Sequence, residues 1–182
     1  MTKTRFKEQG KVLITAGCPN CGRKDSVLLD EDLNERIRKL EKDSGLLHDS
    51  IEHWIDDVLN GTKDINILET CSLCGVYYLD EVECNGCPIK EKTGVPFCKE
   101  SPGPNAGIRY SMLSPEEYSN KPQNVKDAIN KEIDFLRSVK EKNDFKLKEL
   151  IKQKQKTCES CDTEFIVDLS QGSFRSIPKE NE

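Results

Sequence analysis

Eight of the nine cysteines in this 182-residue chain fall into four CxxC pairs, a spacing that constrains the fold more than any other feature. The pairs are Cys18/Cys21, Cys71/Cys74, Cys84/Cys87 and Cys158/Cys161. A CxxC turn brings two sulfurs close together, and two such turns supply the four thiolates of a tetrahedral zinc site. The spacing therefore predicts two zinc ions per chain.

The four pairs can combine into two sites in three ways, and loop length favours one of them. Nine residues separate Cys74 from Cys84, so joining the two central pairs costs little closure entropy. The outer pairs, which contain Cys18 and Cys158, then form the second site. Both outer pairs are followed by a short segment that reads as a strand, as two halves of one small sheet would be. The sequence thus predicts a central site and an outer site.

Other cysteine chemistries are alternatives to zinc. Disulfides belong to secreted proteins, but the only apolar stretch before Cys18 is Val12 to Ile14, too short for a signal peptide, so we expect a cytoplasmic protein. A redox CxxC pair needs its first cysteine at a helix N-terminus, and residues 22–26 do not resemble such a start. Structural zinc is favoured over a thiol-dependent redox enzyme or sensor that uses Cys98 or a CxxC pair.

Cys98 is the one cysteine outside the pairs. With the four central cysteines it makes five thiols for four ligand positions. It is a ligand that displaces one of the others, a free buried thiol or a reactive surface cysteine. The sequence leaves these three roles open, and it leaves open whether zinc or iron occupies the central site.

The apolar pattern predicts two long helices. Apolar residues make up 35% of the chain and charged residues 34%, so each apolar cluster is small and metal is expected to support the core. Residues 30–61 carry a coiled-coil-like stripe with Ser44 in its one polar position, and residues 123–156 carry a second broad stripe. We expect a mainly α protein with a small β component, a long helical hairpin clipped by two Cys-rich zinc sites.

The outer knuckles resemble those of a zinc ribbon, on the residues Cys18-Pro19-Asn20-Cys21-Gly22 and Cys158-Glu159-Ser160-Cys161 followed by Phe165. Usual ribbons separate their knuckles by a few tens of residues, whereas 136 lie between Cys21 and Cys158. The resemblance therefore implies a ribbon split by a long insertion. Residues 71–75 with Tyr77 and Tyr78 are similar to a rubredoxin knuckle. The cluster around Cys84, Cys87-Pro88, Thr93-Gly94 and Cys98 looks like those of uncharacterised prokaryotic and phage proteins, which implies metal binding and no assigned activity.

The predicted organisation has four parts. Residues 1–29 with 157–172 form the split zinc-ribbon-like module, and residues 30–61 with 123–156 form the hairpin. Residues 66–122 are an inserted Cys-rich zinc module that ends in a proline- and glycine-rich loop. Residues 173–182 are a polar tail. Ser44-Gly45 is a candidate break in the first helix, and Asn60-Gly61 is its expected end.

The sequence predicts no catalytic site. His48 and His53 lie five residues apart, about 140° around a helix, so they do not form a metal pair. There is no GxSxG or Walker motif, and zinc held by four thiolates has no open position for water. We therefore expect a non-catalytic zinc-binding adaptor or interaction protein.

Charge patterning bears on the partner. The net charge is −5, but residues 137–156 have eight basic and three acidic residues, while residues 30–57 have ten acidic and four basic. Either the two helices complement each other, or the basic helix presents a phosphate-binding face with Lys148, Lys152 and Lys156. The predicted partner is a protein, with nucleic acid or transcription machinery as a further association, and no membrane.

Overall fold

The computed structural model describes residues 4–8, 10–61, 71–77, 84–95 and 101–177. The chain divides into two compact units. Unit 1 contains residues 1–39 and 146–182, and unit 2 contains residues 40–145. The protein is mostly helical with small antiparallel sheets, as the sequence predicts.

Unit 1 contains two three-stranded antiparallel sheets. The first has the order β1 (Thr4–Glu8), β2 (Lys11–Gly17) and β3 (Lys24–Asp30). In this sheet Val12 pairs with Leu29 and Ile14 pairs with Val27.

The second sheet has the order β4 (Gln155–Thr157), β5 (Glu164–Asp168) and β6 (Ser173–Ser176). In this sheet Val167 pairs with Phe174. Strand β2 also contacts β6, which joins the two sheets.

The core of unit 1 follows from the alternation of its strands. Successive side chains of a strand point to opposite faces, so every second residue of β2, β3 and β5 turns inward. The Phe165 and Phe174 rings stack with centroids 4.4 Å apart. The buried apolar side chains of this unit are Val12, Ile14, Val27, Leu29, Leu33, Ile37, Leu150, Phe165, Val167, Leu169 and Phe174. This small core underlies both cysteine turns of the outer site.

Two long helices run through the chain. Helix α1 spans Leu33–His53 and continues as a π-helical segment, Trp54–Leu59. The segment ends at Leu59, just before the predicted stop at Asn60-Gly61. A Cβ at Gly61 would lie 2.0 Å from the Asp57 carbonyl oxygen, so this position requires glycine. The other long helix spans Gln123–Lys154 and is α5 in our numbering.

Unit 2 contains parts of both long helices and three short helices. These are α2 (Ser72–Tyr77), α3 (Pro88–Thr93) and α4 (Gly103–Ser111). Their buried side chains pack with those of α1 and α5 into one cluster. Its largest fully buried apolar members are Leu47, Val58, Leu73, Tyr110, Ile129 and Leu136.

Three local predictions differ from the structure. Helix α1 passes through Ser44-Gly45 without a break. Helix α4 lies within the region predicted as a loop, because proline is tolerated in the first turn of a helix, where its missing N–H has no intrahelical partner. Strand β6 occupies part of the predicted tail, where Phe174 gives the polar segment a buried anchor.

In the described part of the chain, no helix combines the length and the apolar composition that crossing a bilayer requires.

Candidate metal centre

The four outer cysteines converge in unit 1. Their Sγ atoms all lie within 4.8 Å of one another, although the two pairs are far apart in sequence. The Cys18 and Cys161 sulfurs are 3.7 Å apart, and so are the Cys21 and Cys158 sulfurs. Four thiolates at about 2.3 Å from a tetrahedral zinc ion would be about 3.8 Å apart. The donor set and its spacing therefore fit a metal ion of this kind.

Each cysteine pair lies in a tight turn between two strands. In the first turn, the Cys18 N–H donates to the Arg23 carbonyl at 2.8 Å, and the Gly22 N–H donates to the Cys18 carbonyl at 2.9 Å. The Asn20 N–H donates to the Cys18 sulfur at 3.4 Å. This arrangement turns the chain sharply enough to place both sulfurs on the same side.

The second turn repeats the first. The Cys158 N–H donates to the Thr163 carbonyl at 2.9 Å, and the Asp162 N–H donates to the Cys158 carbonyl at 2.9 Å. Position by position, Asp162 matches Gly22, and both have a positive φ angle. The two turns are therefore copies of one backbone motif.

Side chains of the two turns bind each other reciprocally. The Asn20 side-chain amide donates to the Thr163 hydroxyl at 2.9 Å, and the Arg23 guanidinium donates to the Ser160 hydroxyl at 2.8 Å. Asn20 and Ser160 occupy the same position of their turns, as do Arg23 and Thr163. The outer centre thus has approximate twofold symmetry in its sulfurs and in the bonds around them.

The environment of the four thiols is uneven. Cys18 and Cys158 are buried, Cys161 is half-buried and Cys21 is exposed. Hydrogen bonds with the side chain and backbone of Thr163 lower the pKa of Cys161 to about 6. At Cys21 a bond with the Arg23 backbone lowers the pKa, but contact with Cys161 and burial outweigh it and raise the pKa to about 11. The protein itself thus favours ionisation of the Cys161 thiol, and a bound cation would be needed to ionise all four thiols.

The central cysteines lie in unit 2 but are less closely grouped. Among the described residues, the outer set is the only group of three or more ligand atoms that all lie within 4.8 Å of one another. Cys84 and Cys87 are buried, and Cys71 and Cys74 are half-buried. The hydrogen bond with Cys74 and burial raise the pKa of Cys71, and burial raises that of Cys87. A second cysteine group thus exists near Cys71 and Cys74, and a central zinc ion stays a prediction.

Two buried acids accompany the central cysteines, and the sequence analysis missed both. Asp43 is fully buried and accepts a hydrogen bond from the Tyr77 hydroxyl. Glu132 is 4% exposed, and its Oε2 atom has no hydrogen-bond partner in the described part of the chain. Asp43 lies between the stripe residues Leu40 and Leu47, and Glu132 lies between Ile129 and Ile133, so an acid on an apolar stripe was the available signal.

Other predicted site residues lie elsewhere. Cys98 is outside the described residues. His48 is exposed, and His53 contacts the Asp57 carboxylate at 2.8 Å. Lys148, Lys152 and Lys156 are exposed, and Lys152 pairs with Glu149 at 2.9 Å.

Comparisons of the chain with models of protein families, with curated proteins and with solved structures found no match. The resemblance to a zinc ribbon therefore depends on the residues of the two knuckles.

Proposed function

We propose that Cys18, Cys21, Cys158 and Cys161 bind one zinc ion and that the two turns are the knuckles of a split ribbon. The observation that carries this proposal is the pair of 3.7 Å sulfur contacts between turns, which match the edges of a thiolate tetrahedron. The reciprocal bonds between the turns support it as well, since hydrogen bonds around a metal site hold its ligands in position.

A second zinc ion at the central cysteines completes the proposal. Two backbone hydrogen bonds at the central pairs follow the same pattern as bonds in the outer turns. The Gly75 N–H donates to the Cys71 carbonyl at 3.0 Å, as Gly22 does to Cys18. The Cys87 N–H donates to the Cys84 carbonyl at 3.1 Å. Cys71 directly precedes helix α2 and Cys74 lies within its first turns, so a central site would form if Cys84 and Cys87 bound the same ion beside the start of this helix.

The function we propose is that of a non-catalytic, zinc-dependent binding or adaptor protein that acts with protein or nucleic-acid partners. Four thiolates fill the coordination of a zinc ion, so a centre of this kind supports a fold and has no position for a reacting water molecule. A helical hairpin is part of the proposal. Within unit 2, the Ser44 hydroxyl donates to Asp144 and the Asn143 amide donates to the Leu40 carbonyl, so the long helices contact each other there.

Metal analysis of purified protein tests the proposal. The parent protein, prepared under reducing conditions without chelator, should contain two zinc ions per chain. The outer variant Cys158→Ser/Cys161→Ser and the central variant Cys84→Ser/Cys87→Ser should each lose one. A parent content of one ion that disappears only in the outer variant would remove the central site, and a content of none would remove both.

A thiol-dependent redox protein is the second candidate, favoured by the lowered pKa of Cys161 and its short distance from Cys18. In that case the protein would carry no stoichiometric metal. Its thiols would instead react readily with a thiol reagent and would show a measurable dithiol reduction potential.

A further inference from the structure

A second feature of unit 1 is a cavity of about 610 Å³ near the C-terminal end of helix α5. Helix α1, the last turn of α5 and strands β5 and β6 contribute to its walls. Its volume lies within the roughly 300–1,000 Å³ of small-molecule sites. Three cations face it from three different elements, namely Arg38, Lys154 and Arg175.

Each of these cations is held by a contact that leaves it further N–H donors. The Lys154 ammonium donates to the Asn34 side chain at 3.0 Å, and the Arg38 Nε–H donates to the Asn34 backbone carbonyl at 3.4 Å. An ammonium has three N–H donors and a guanidinium has five. One residue, Asn34, thus anchors two cations at the same wall of the cavity.

Among the described residues of the cavity wall, the one acid is already satisfied by its neighbours. The Asp168 carboxylate accepts from the Ser170 N–H at 2.9 Å, from the Ser170 hydroxyl at 2.6 Å and from the Gln171 N–H at 3.0 Å, and it pairs with Arg175. These bonds hold the pKa of Asp168 below its usual range. With three cations and one anion, the wall carries a net charge of +2.

Acidic side chains limit how far this positive region extends. The adjoining groove contains four acids, Asp30, Glu31, Asp32 and Glu35. Arg36 lies 3.9 Å from Asp30 and 3.8 Å from Asp32, so it offsets part of their charge. The acids would repel a run of phosphates along this groove, which restricts the positive site to one phosphate group.

We propose that this cavity binds one phosphate group of a single-stranded nucleic acid. Two guanidinium groups and one ammonium suit a tetrahedral phosphate, because arginine presents paired N–H donors and lysine adds a point charge. The Ser176 hydroxyl on the wall supplies a neutral donor, and Ile166 supplies apolar surface for the attached nucleoside. This inference rests on the proposed function, because the zinc centre holds the strands that form the wall.

The cavity points to a different set of phosphate-binding cations from the set that the sequence analysis favoured. The sequence analysis favoured Lys148, Lys152 and Lys156, all of which are exposed. Lys154 is half-buried, and its position two residues after Lys152 turns it about 200° around the helix. The structure therefore favours a pocket made by several elements over a face of one helix.

The test compares two zinc-loaded full-length variants with the same loss of charge. The cavity variant is Arg38→Gln/Lys154→Gln/Arg175→Gln, and the control is Lys148→Gln/Lys152→Gln/Lys156→Gln. Binding of a short labelled single-stranded oligonucleotide is measured by fluorescence anisotropy across a salt series. We expect the cavity variant to bind about tenfold more weakly, with a salt slope lower by about one unit, and the control to change by less than about threefold.

Competition identifies the source of the phosphate. Displacement of the oligonucleotide by inorganic phosphate or a mononucleotide at the same phosphate concentration would assign the cavity to a small phosphate ligand. Resistance to them would assign it to the nucleic-acid backbone. The second outcome supports the proposal, and the first overturns its assignment to a nucleic acid.

Equal losses in the two triple variants, or no binding of oligonucleotide and phosphate to the parent at low salt, would overturn the proposal. If the cavity variant fails to fold, Arg38→Gln alone is the substitute, since its described side-chain bond is one long contact with a backbone carbonyl. Zinc content is measured on the same samples. Parent protein with zinc but without phosphate binding would reject this inference alone, whereas parent protein without zinc would reject the proposed function.

Discussion

Gly22 and Asp162 occupy the same position in the two cysteine turns and share a left-handed backbone, with φ angles of 72° and 51°. Each N–H closes its turn by donating to the carbonyl of the first cysteine, at 2.9 Å in both cases. Glycine adopts this backbone without steric cost, whereas aspartate is one of the few other residues that tolerate it. The same turn is thus built from two different sequences.

Substitution at these two positions should therefore have unequal effects. Gly22→Ala should lower the free energy of unfolding by about 1 kcal/mol, because alanine disfavours a positive φ angle. A Cβ at this position meets no atom within 4 Å, so the cost is conformational rather than steric. Asp162→Gly should change stability by less than about 0.5 kcal/mol, since relief of strain is offset by greater freedom of the unfolded chain. Denaturant unfolding of the zinc-loaded proteins measures both. Equal losses would contradict the matching of the turns.

Loss of one outer ligand should loosen both ends of unit 1. Cys158→Ser would remove a buried sulfur that lies 3.7 Å from Cys21, and with it the proposed link between the two turns. Amide hydrogen exchange should then rise in Glu164–Asp168 and in Lys24–Asp30, because metal binding and folding are coupled.

The matched control for this experiment is Cys84→Ser, which removes a buried cysteine from unit 2. It should leave exchange in the strands of unit 1 unchanged. Exchange in Cys158→Ser that stays as slow as in the parent protein would reject the split ribbon.

The sequence predicts the position of the outer centre better than its surroundings. CxxC spacing identifies ligands because the turn geometry is local. Loop length favours joining the central pairs, which leaves the pairs of Cys18 and Cys158 to join, and the strand-like segment after each outer pair supports this. The bonds from Asn20 to Thr163 and from Arg23 to Ser160 depend on how two distant turns face each other, and no local pattern reports that.

The mainly helical fold was likewise predictable from apolar periodicity, but local details depended on tertiary contacts. Ser44-Gly45 reads as a break, yet α1 is continuous, and Ile37 before the pair and Leu47 after it are both buried. Strand β6 has only four residues, too few for an alternating pattern, and it is defined by pairing with β5.

Neutralising the exposed lysines of α5 should have little effect on stability. Lys148→Gln/Lys152→Gln/Lys156→Gln should lower the free energy of unfolding by less than about 1 kcal/mol, because exposed ion pairs contribute little. The one pair involved, Lys152 with Glu149, joins side chains that are 68% and 48% exposed. Thermal unfolding at low and high salt measures the effect. A loss of several kcal/mol would instead indicate packing of the lysine stems.

The buried acid Glu132 should make stability depend on pH. Burial in unit 2, with the charge of Cys71 as a further cause, raises the pKa of Glu132 to about 8, although a bond from the Gly103 N–H opposes the rise. Below the ordinary pKa of 4.5, both folded and unfolded states hold the proton, so this group contributes no pH dependence. Between 4.5 and about 8, the unfolded state releases its proton and the folded state keeps it. Stability should therefore fall as pH rises through this range and level off above it.

Glu132→Gln isolates this contribution, because the amide is neutral at every pH and its oxygen still accepts the Gly103 bond. Parent and variant should have similar stability near pH 5, and the variant should be more stable above pH 8 by a few kcal/mol, on the order of 1.4 kcal/mol per unit of pKa shift. Denaturant unfolding of both proteins across this range supplies the measurement.

Zinc affinity also changes with pH, but the two proteins have the same thiols, so the difference between them cancels that effect. Stability curves of parent and variant that stay parallel across this pH range would contradict the raised pKa of Glu132.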